Sequence, residues 1–223
     1  MKRMLIKGGT VITMEPGDIG ASPLDILIED DCIAAIGNSD GIRRATEGAE
    51  IIDATDRIVL PGLIDSHVHT WQTGLRGIAG DWTVPQYMRA MHRGLATYFR
   101  PEDIYIANLV GALSKLDAGI TTLADWCHNN PTPDHTDAAI DGLAESGARA
   151  LFLHGSPKPD PGPGQKHFSE TPMPRSEIER LRKGRLADDD ALVTMGLALL
   201  GPQYSVYGVC EQDYRLAREF GLI

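Results

Sequence analysis

Cysteine is scarce in this chain. Its three cysteines, Cys32, Cys127 and Cys210, are odd in number, lie far apart and form no C-x-x-C pair. They therefore predict neither a disulfide framework nor a cysteine-based metal site. A protein that makes so little use of cysteine is expected in a reducing compartment, and the cytoplasm is the simplest one.

Long apolar runs are also missing. No stretch of the sequence is long and apolar enough to span a bilayer. Near the start, residues 5–13 contain Lys7, Gly8 and Gly9, which interrupt the apolar core that a signal peptide needs. The sequence therefore predicts no membrane-spanning segment and no secretory signal.

Positive charge is in deficit. Lysine and arginine together number 21 against 31 aspartates and glutamates, so the formal net charge is −10. Binding to a nucleic-acid backbone needs a basic face, and this balance argues against a nucleic-acid partner. The remaining composition, 42% hydrophobic and 23% charged, is ordinary for a globular protein that buries one good core.

One stretch carries recognisable chemistry. Residues 57–72 read R-I-V-L-P-G-L-I-D-S-H-V-H-T-W-Q, and the apolar residues 58–60 predict a buried strand. Residues two apart in a strand point to the same face, so His67 and His69 are placed to bind a single metal ion. Neutral imidazole suits zinc, iron, nickel or copper. Taken alone, an H-x-H pair is more typical of two partly buried polar residues at a strand end.

The residues before the two histidines change that balance. Residues 60–69 resemble the signature P-G-[LF]-[IV]-[DN]-x-H-x-H of the amidohydrolase superfamily, metal-dependent hydrolases built on a TIM-type barrel. The G-I-T-T at residues 119–122 is similar to a second feature of that family. The resemblance is to the branch that holds cytosine and guanine deaminases, S-adenosylhomocysteine-type deaminases and triazine chlorohydrolases.

The fold class that the resemblance implies is α/β, the first half of a TIM-type (β/α) barrel preceded by strands of a small β-sandwich domain. Residues 1–57 would be the sandwich part, with a strand, a Gly-Gly turn and a second strand over 4–13 and a hairpin over 25–37. Residues 58–223 would be the barrel part. Its first helix, 101–119, shows an apolar stripe at Leu109, Leu113 and Leu116. Strands are predicted over 120–125, 149–153 and 191–200, and further helices over 134–147, 176–186 and 211–220.

Five residues are candidates for substrate binding. The resemblance implies that Gln72 bonds a heterocyclic substrate, although an exposed loop glutamine is the alternative. Gln203 stands where the family has a histidine, which puts the substrate class in doubt. Trp71 is either an apolar wall or ordinary packing. His128 and His154 follow predicted strands at the end where barrel enzymes bind substrate, but a polar loop role is also open.

The implied activity is deamination, in which a water molecule activated by a divalent metal attacks a C–N bond of a heterocyclic small molecule. Zinc is the expected metal, with iron as the alternative, and the partner is the substrate itself. A dechlorinating hydrolase of the same family is the runner-up. The full-length protein is expected to be a homo-oligomer.

The family's remaining ligands, H-x-x-E, a further His and an Asp, are expected on later strands. Four strand–helix units are predicted after residue 57, whereas a closed barrel needs eight. No catalytic residue is therefore assigned within this chain. We expect it to be the N-terminal portion of a longer enzyme, and a non-catalytic fragment or a subunit completed by another polypeptide is the alternative.

Overall fold

The computed structural model describes residues 2–18, 20–38, 42 and 48–223. The chain divides into two compact units, Met1–Gly62 and Leu63–Ile223. The boundary lies later than the predicted position after residue 57. The reason is that the short strand Ile58–Val59 pairs with the first strand of the N-terminal unit.

The N-terminal unit is built on one mixed sheet. Its strands are β1 (Arg3–Val11), β2 (Ser22–Glu29), β3 (Cys32–Gly37), β4 (Glu50–Asp53) and β5 (Ile58–Val59). The strand order is β3-β2-β1-β4, with β5 also pairing with β1. The predicted hairpin over 25–37 is confirmed, because β2 and β3 pair antiparallel. The second sheet that a sandwich requires stays a prediction.

The predicted Gly-Gly turn in the first strand is wrong. Strand β1 runs through both glycines, and its register against β2 shifts between Ile6 and Gly9, which marks a bulge. Gly8 has a φ of +75°, a left-handed conformation that glycine adopts without strain. Its N–H donates to Asp25 Oδ1 over 2.8 Å, so the bulge is tied to β2. A bulge absorbs the extra residue without reversing the chain.

The C-terminal unit alternates strands and helices around a parallel sheet. Strands β6 (Leu63–Val68), β7 (Ile120–Cys127), β8 (Arg149–His154) and β9 (Val193–Leu197) lie in that order. The helices are α1 (Val84–Tyr87), α2 (Pro101–Asp117), α3 (Pro133–Ser146), α4 (Arg175–Arg182) and α5 (Tyr207–Glu219). The long connection from β6 to α2 also holds short helical turns at Thr70–Leu75, Met88–His92 and Leu95–Tyr98. The predicted α/β class with a parallel sheet is confirmed.

The buried strand predicted over 58–60 is wrong. Pro61 and Gly62 separate two strands that belong to different sheets, and Ile58 in β5 is 65% exposed. The histidine-bearing strand β6 is an edge strand of its sheet, and its Ile64 is 71% exposed. An apolar sequence predicts burial only when another element covers it, and an edge strand has one neighbour fewer.

The leucine stripe predicted for α2 is confirmed only in part, since Leu116 packs against the core. Leu113 is 45% exposed, and the buried side of the helix carries mainly small residues: Ile104, Ala107, Asn108, Gly111 and Ala112. The reason is close helix contact. A Cβ added to Gly142 of α3 would lie 2.5 Å from the carbonyl oxygen of Tyr105 in α2, so only small side chains fit between them. In the described part of the chain, no helix has the length and apolar character needed to cross a membrane.

Candidate metal and substrate site

A bulge in β6 aims the two motif histidines at one face of the sheet. The strand pairs in register with β7 at Asp65 and again at Val68, with an irregularity between them. Asp65 faces the helices, where its Oδ2 lies 2.7 Å from Lys115 Nζ, and Val68 packs against the core below them. Because neighbouring residues of a strand alternate, His67 and His69 on either side of Val68 point to the opposite face.

The geometry of this histidine pair fits a divalent metal ion. The ring centroids of His67 and His69 are 5.0 Å apart, and both residues line a cavity of about 650 Å³. His69 Nδ1 lies 2.7 Å from the carbonyl oxygen of Trp126, so this nitrogen donates and Nε2 is left free. Burial lowers the pKa of His69. A neutral, oriented imidazole is the form that binds metal.

The described ranges contain no group of three His, Cys, Asp or Glu side chains arranged to hold a metal ion. His128 comes near, with its ring centroid 4.5 Å from that of His69. Its Nδ1, however, accepts a hydrogen bond from Trp71 Nε1 over 3.2 Å. The candidate ligands among these residues are therefore His67 in β6 and His69 directly after it.

Four of the seven histidines, His67, His69, His92 and His128, form one cluster. The sequence did not predict that His92 belongs to it. The His92 ring centroid lies 4.5 Å from that of His128, and Trp71 packs fully buried against both rings. Burial lowers the pKa of His92 to about 3 and that of His128 well below its usual value, so both rings are neutral. His92 reaches the cluster through the long β6–α2 connection, for which no motif or periodicity provides a signal.

His154 lies on the other face of the sheet, which corrects the expectation that it shares a mouth with the motif histidines. It is the register partner of Cys127, and parallel partners point the same way. Cys127 is fully buried in the core beneath the helices, and the charged groups that act on His154 are Glu177 and Arg180 of α4. A position at a strand end predicts which end of the sheet a side chain lies at, but not which face of the sheet it points to.

His154 should make the C-terminal unit sensitive to acid. Its side chain is 1% exposed, and neither ring nitrogen has a hydrogen-bond partner in the described residues. Burial lowers its pKa from 6.5 to about 4, with Glu177 opposing and Arg180 reinforcing the shift. The unfolded chain therefore binds the proton first, and stability falls as pH drops from about 6.5 to about 4.

We expect His154→Leu to reduce the loss of stability between about pH 6.5 and pH 4 by roughly 3 kcal/mol in total. The free energy of unfolding at successive pH values measures this effect. His135→Leu, on the first turn of α3, is the matched control. An unchanged acid slope in the His154 variant would contradict the assignment.

Gln72 lines the same cavity as the motif histidines, together with Tyr87 of α1. The Gln72 Nε2 amide donates to the Tyr87 hydroxyl over 2.5 Å. Burial raises the pKa of Tyr87, so the phenol keeps its proton and remains a donor. Tyr87 is a second residue that sequence reasoning missed. Gln203 instead lies exposed on the loop after β9, outside the lining of this cavity.

A buried carboxylate anchors the end of β6. Asp125 of β7 is fully buried and accepts hydrogen bonds from the Thr70 N–H over 3.0 Å and from Asn108 Nδ2 over 3.1 Å. Burial raises its pKa to about 6. Since Thr70 follows His69 directly, this contact ties the position of this motif histidine to the helix layer.

Known proteins resemble this chain over part of their length. No family model matches it. It is 30% identical over 155 residues to a 5-methylthioadenosine/S-adenosylhomocysteine deaminase of Moorella thermoacetica, which covers 70% of this chain and 34% of that protein. It is 28% identical over 156 residues to a 5'-deoxyadenosine deaminase of Methanosarcina barkeri, with the same two coverages. The chain thus spans about a third of the length of the curated relatives it matches.

Solved structures share the fold. An atrazine chlorohydrolase mutant from Arthrobacter aurescens TC1, complexed with zinc and atraton, superposes with a TM-score of 0.80 at 24% identity, over 98% of this chain and 51% of that one. A guanine deaminase from Bradyrhizobium japonicum superposes with a TM-score of 0.74 at 21% identity, over 98% of this chain and 48% of the other. At these identities the likeness concerns the fold alone.

Proposed function

This chain matches the N-terminal portion of the amidohydrolase superfamily, and from that premise we propose that it forms part of a metal-dependent hydrolase that deaminates a heterocyclic small molecule. The observation that carries the proposal is the pair His67 and His69. Both residues line the same cavity, and the Trp126 carbonyl holds His69 with its Nε2 free. The deaminase relatives favour a C–N bond as the bond that is broken.

The architecture proposed for the complete protein follows from the same premise. The four parallel strands and their helices are the first half of a TIM-type barrel, and the N-terminal sheet is one layer of a β-sandwich. Catalytic metal sites usually use three protein ligands or more, whereas the described residues offer two candidates, His67 and His69. We therefore propose that the remaining ligands come from outside the residues described here.

In the proposed mechanism, His67 and His69 hold a divalent ion, zinc in the first instance and iron as the alternative. When bound, such an ion lowers the pKa of water and so supplies a nucleophile near neutral pH. Gln72 orients the heterocycle through its amide, which both donates and accepts. Tyr87 accepts from one Gln72 N–H and thereby limits the orientations of that amide.

The proposal is tested on the complete natural protein. We expect about one metal ion per subunit, and release of ammonia from an aminated heterocycle that stops when the ion is removed and returns when it is restored. Release of chloride from a chlorinated heterocycle, without ammonia from any aminated one, would favour the dechlorinating alternative. Full activity in a metal-free preparation would contradict both.

Gln72→Ala is expected to raise KM or lower kcat without loss of metal. The cost should be about 3- to 10-fold in kcat/KM, the range for one hydrogen bond between uncharged groups. Tyr87→Phe should give a smaller change in the same direction, because this variant keeps the Gln72 side chain and loses only its hydrogen bond to the Tyr87 hydroxyl. Gln212→Ala, on the exposed side of α5, is the matched control. Unchanged kinetics in the Gln72 variant would leave this residue with a structural role only.

A further inference from the structure

His69 lies just beyond the end of strand β6, which finishes at Val68. The last register pair between β6 and β7 joins Val68 to Asp125. The position of the His69 imidazole therefore depends on how the chain is held where it leaves the sheet. Two neighbouring residues near the end of β7, Asp125 and Trp126, make the contacts that hold it there.

The two contacts act on different parts of this histidine. The Trp126 carbonyl oxygen accepts from His69 Nδ1 over 2.7 Å, which sets the rotation of the ring. Asp125 Oδ1 accepts from the Thr70 N–H over 3.0 Å, which fixes the peptide that directly follows His69. The first contact keeps its geometry only while the main chain at His69 stays in place, so the second supports the first.

The Asp125 carboxylate is itself held by the helix layer. Its Oδ2 accepts from Asn108 Nδ2 of α2 over 3.1 Å, and the same Nδ2 lies 3.3 Å from the carbonyl oxygen of Ala139 in α3. Asp125 and Asn108 are both fully buried, and a Cβ added to Gly111 of α2 would lie 3.1 Å from Thr70 Cβ. Burying a carboxyl group away from water is unfavourable even when it is hydrogen-bonded, so stability alone does not account for this residue.

We propose that Asp125 is a positioning residue for the metal site: it holds the main chain at His69 through the Thr70 N–H and so keeps this imidazole oriented for metal binding. The inference rests on the proposed function. A ligand that is already oriented binds more tightly, because less freedom is lost when the ion is bound. Since Asn108 fixes the carboxylate, the site depends on the contact between α2 and α3 as well as on its own strand.

Zinc release from the complete natural protein to the chelator EDTA tests this inference, together with the visible spectrum of the cobalt-loaded protein, which reports on ligand geometry. Asp125→Ala removes the acceptor. It should release zinc about 10- to 100-fold faster, the usual effect of losing an outer partner of a ligand, and should change the cobalt spectrum. Asp125→Asn keeps an oxygen for the Thr70 N–H, because the Asn108 side chain can turn away from the new amide whereas the Thr70 peptide cannot. This variant should retain most of the wild-type zinc release although it is less stable.

Asp213→Ala is the matched control, because Asp213 of α5 is also buried and accepts from a main-chain N–H, that of Met173, over 2.9 Å. It should lose stability but release zinc as the wild type does. Wild-type zinc release in Asp125→Ala, or an equal acceleration in Asp213→Ala, overturns the positioning role.

A second variant decides the question if Asp125→Ala does not fold. Asn108→Ala leaves the carboxylate in place but free to turn, so it should release zinc faster than the wild type and change the cobalt spectrum. Wild-type zinc release and an unchanged spectrum in folded Asn108→Ala would overturn the inference. A complete wild-type protein that takes up neither zinc nor cobalt contradicts the proposed function instead.

Discussion

Replacing His69 by alanine in the complete natural protein is expected to abolish metal retention and turnover together. His69 is the better oriented of the two proposed ligands, because its Nδ1 is held by the Trp126 carbonyl. Loss of an outer partner of a metal ligand already costs about 10- to 100-fold in affinity or activity, so loss of the ligand itself should cost more than about 100-fold. Metal content after dialysis and steady-state rates measure the two effects on one preparation.

His167→Ala is the matched control, since His167 bonds Ser169 in the β8–α4 loop. A His69 variant that keeps its metal through dialysis would contradict the assignment of this ligand.

The 223-residue chain itself should bind zinc weakly in isothermal titration, because His128 Nδ1 is engaged by Trp71 and His154 faces the helices. Tight stoichiometric binding that is lost in the double change His67→Ala and His69→Ala would show that these residues suffice.

Phe152→Ala is expected to lower the free energy of unfolding of the C-terminal unit by about 3–5 kcal/mol, the usual cost of emptying a large buried site. Phe152 lies in the middle of β8, is fully buried and belongs to the main core cluster. All three tryptophans, Trp71, Trp82 and Trp126, belong to this unit. Urea unfolding followed by tryptophan fluorescence therefore reports on this unit without a signal from the N-terminal sheet.

Phe168→Ala is the matched control, because Phe168 is only partly buried in a short helical turn of the β8–α4 loop. We expect this control to lose much less stability than the core variant. Equal losses in the two variants would mean that Phe152 does not occupy the core as the structure has it.

Some features of this protein follow from residues that are close in sequence. The motif pair is one example in part: His67 and His69 flank Val68 and so share a face, whereas the bulge between Asp65 and Val68 decides which face that is. The β2–β3 hairpin is another, since two apolar runs meet at the Asp30–Asp31 turn. The alternation of strands and helices after residue 62 is also local, because each element has its own periodicity and end signals.

Other features were decided by contacts that a sequence pattern does not contain. Strand β6 is exposed because it lies at the edge of its sheet, and α2 buries small residues because α3 approaches it closely. His154 faces the helices through its register with Cys127, although its place at a strand end is readable from the sequence.

The cluster around the motif histidines depends on the tertiary structure in the same way. His92 and Tyr87 come from the long connection between β6 and α2, whose path is set by what it packs against. A local pattern determines which residues share a face of one element. Which elements then meet, and so which side chains share a cavity, is decided by packing between segments that are distant in the chain.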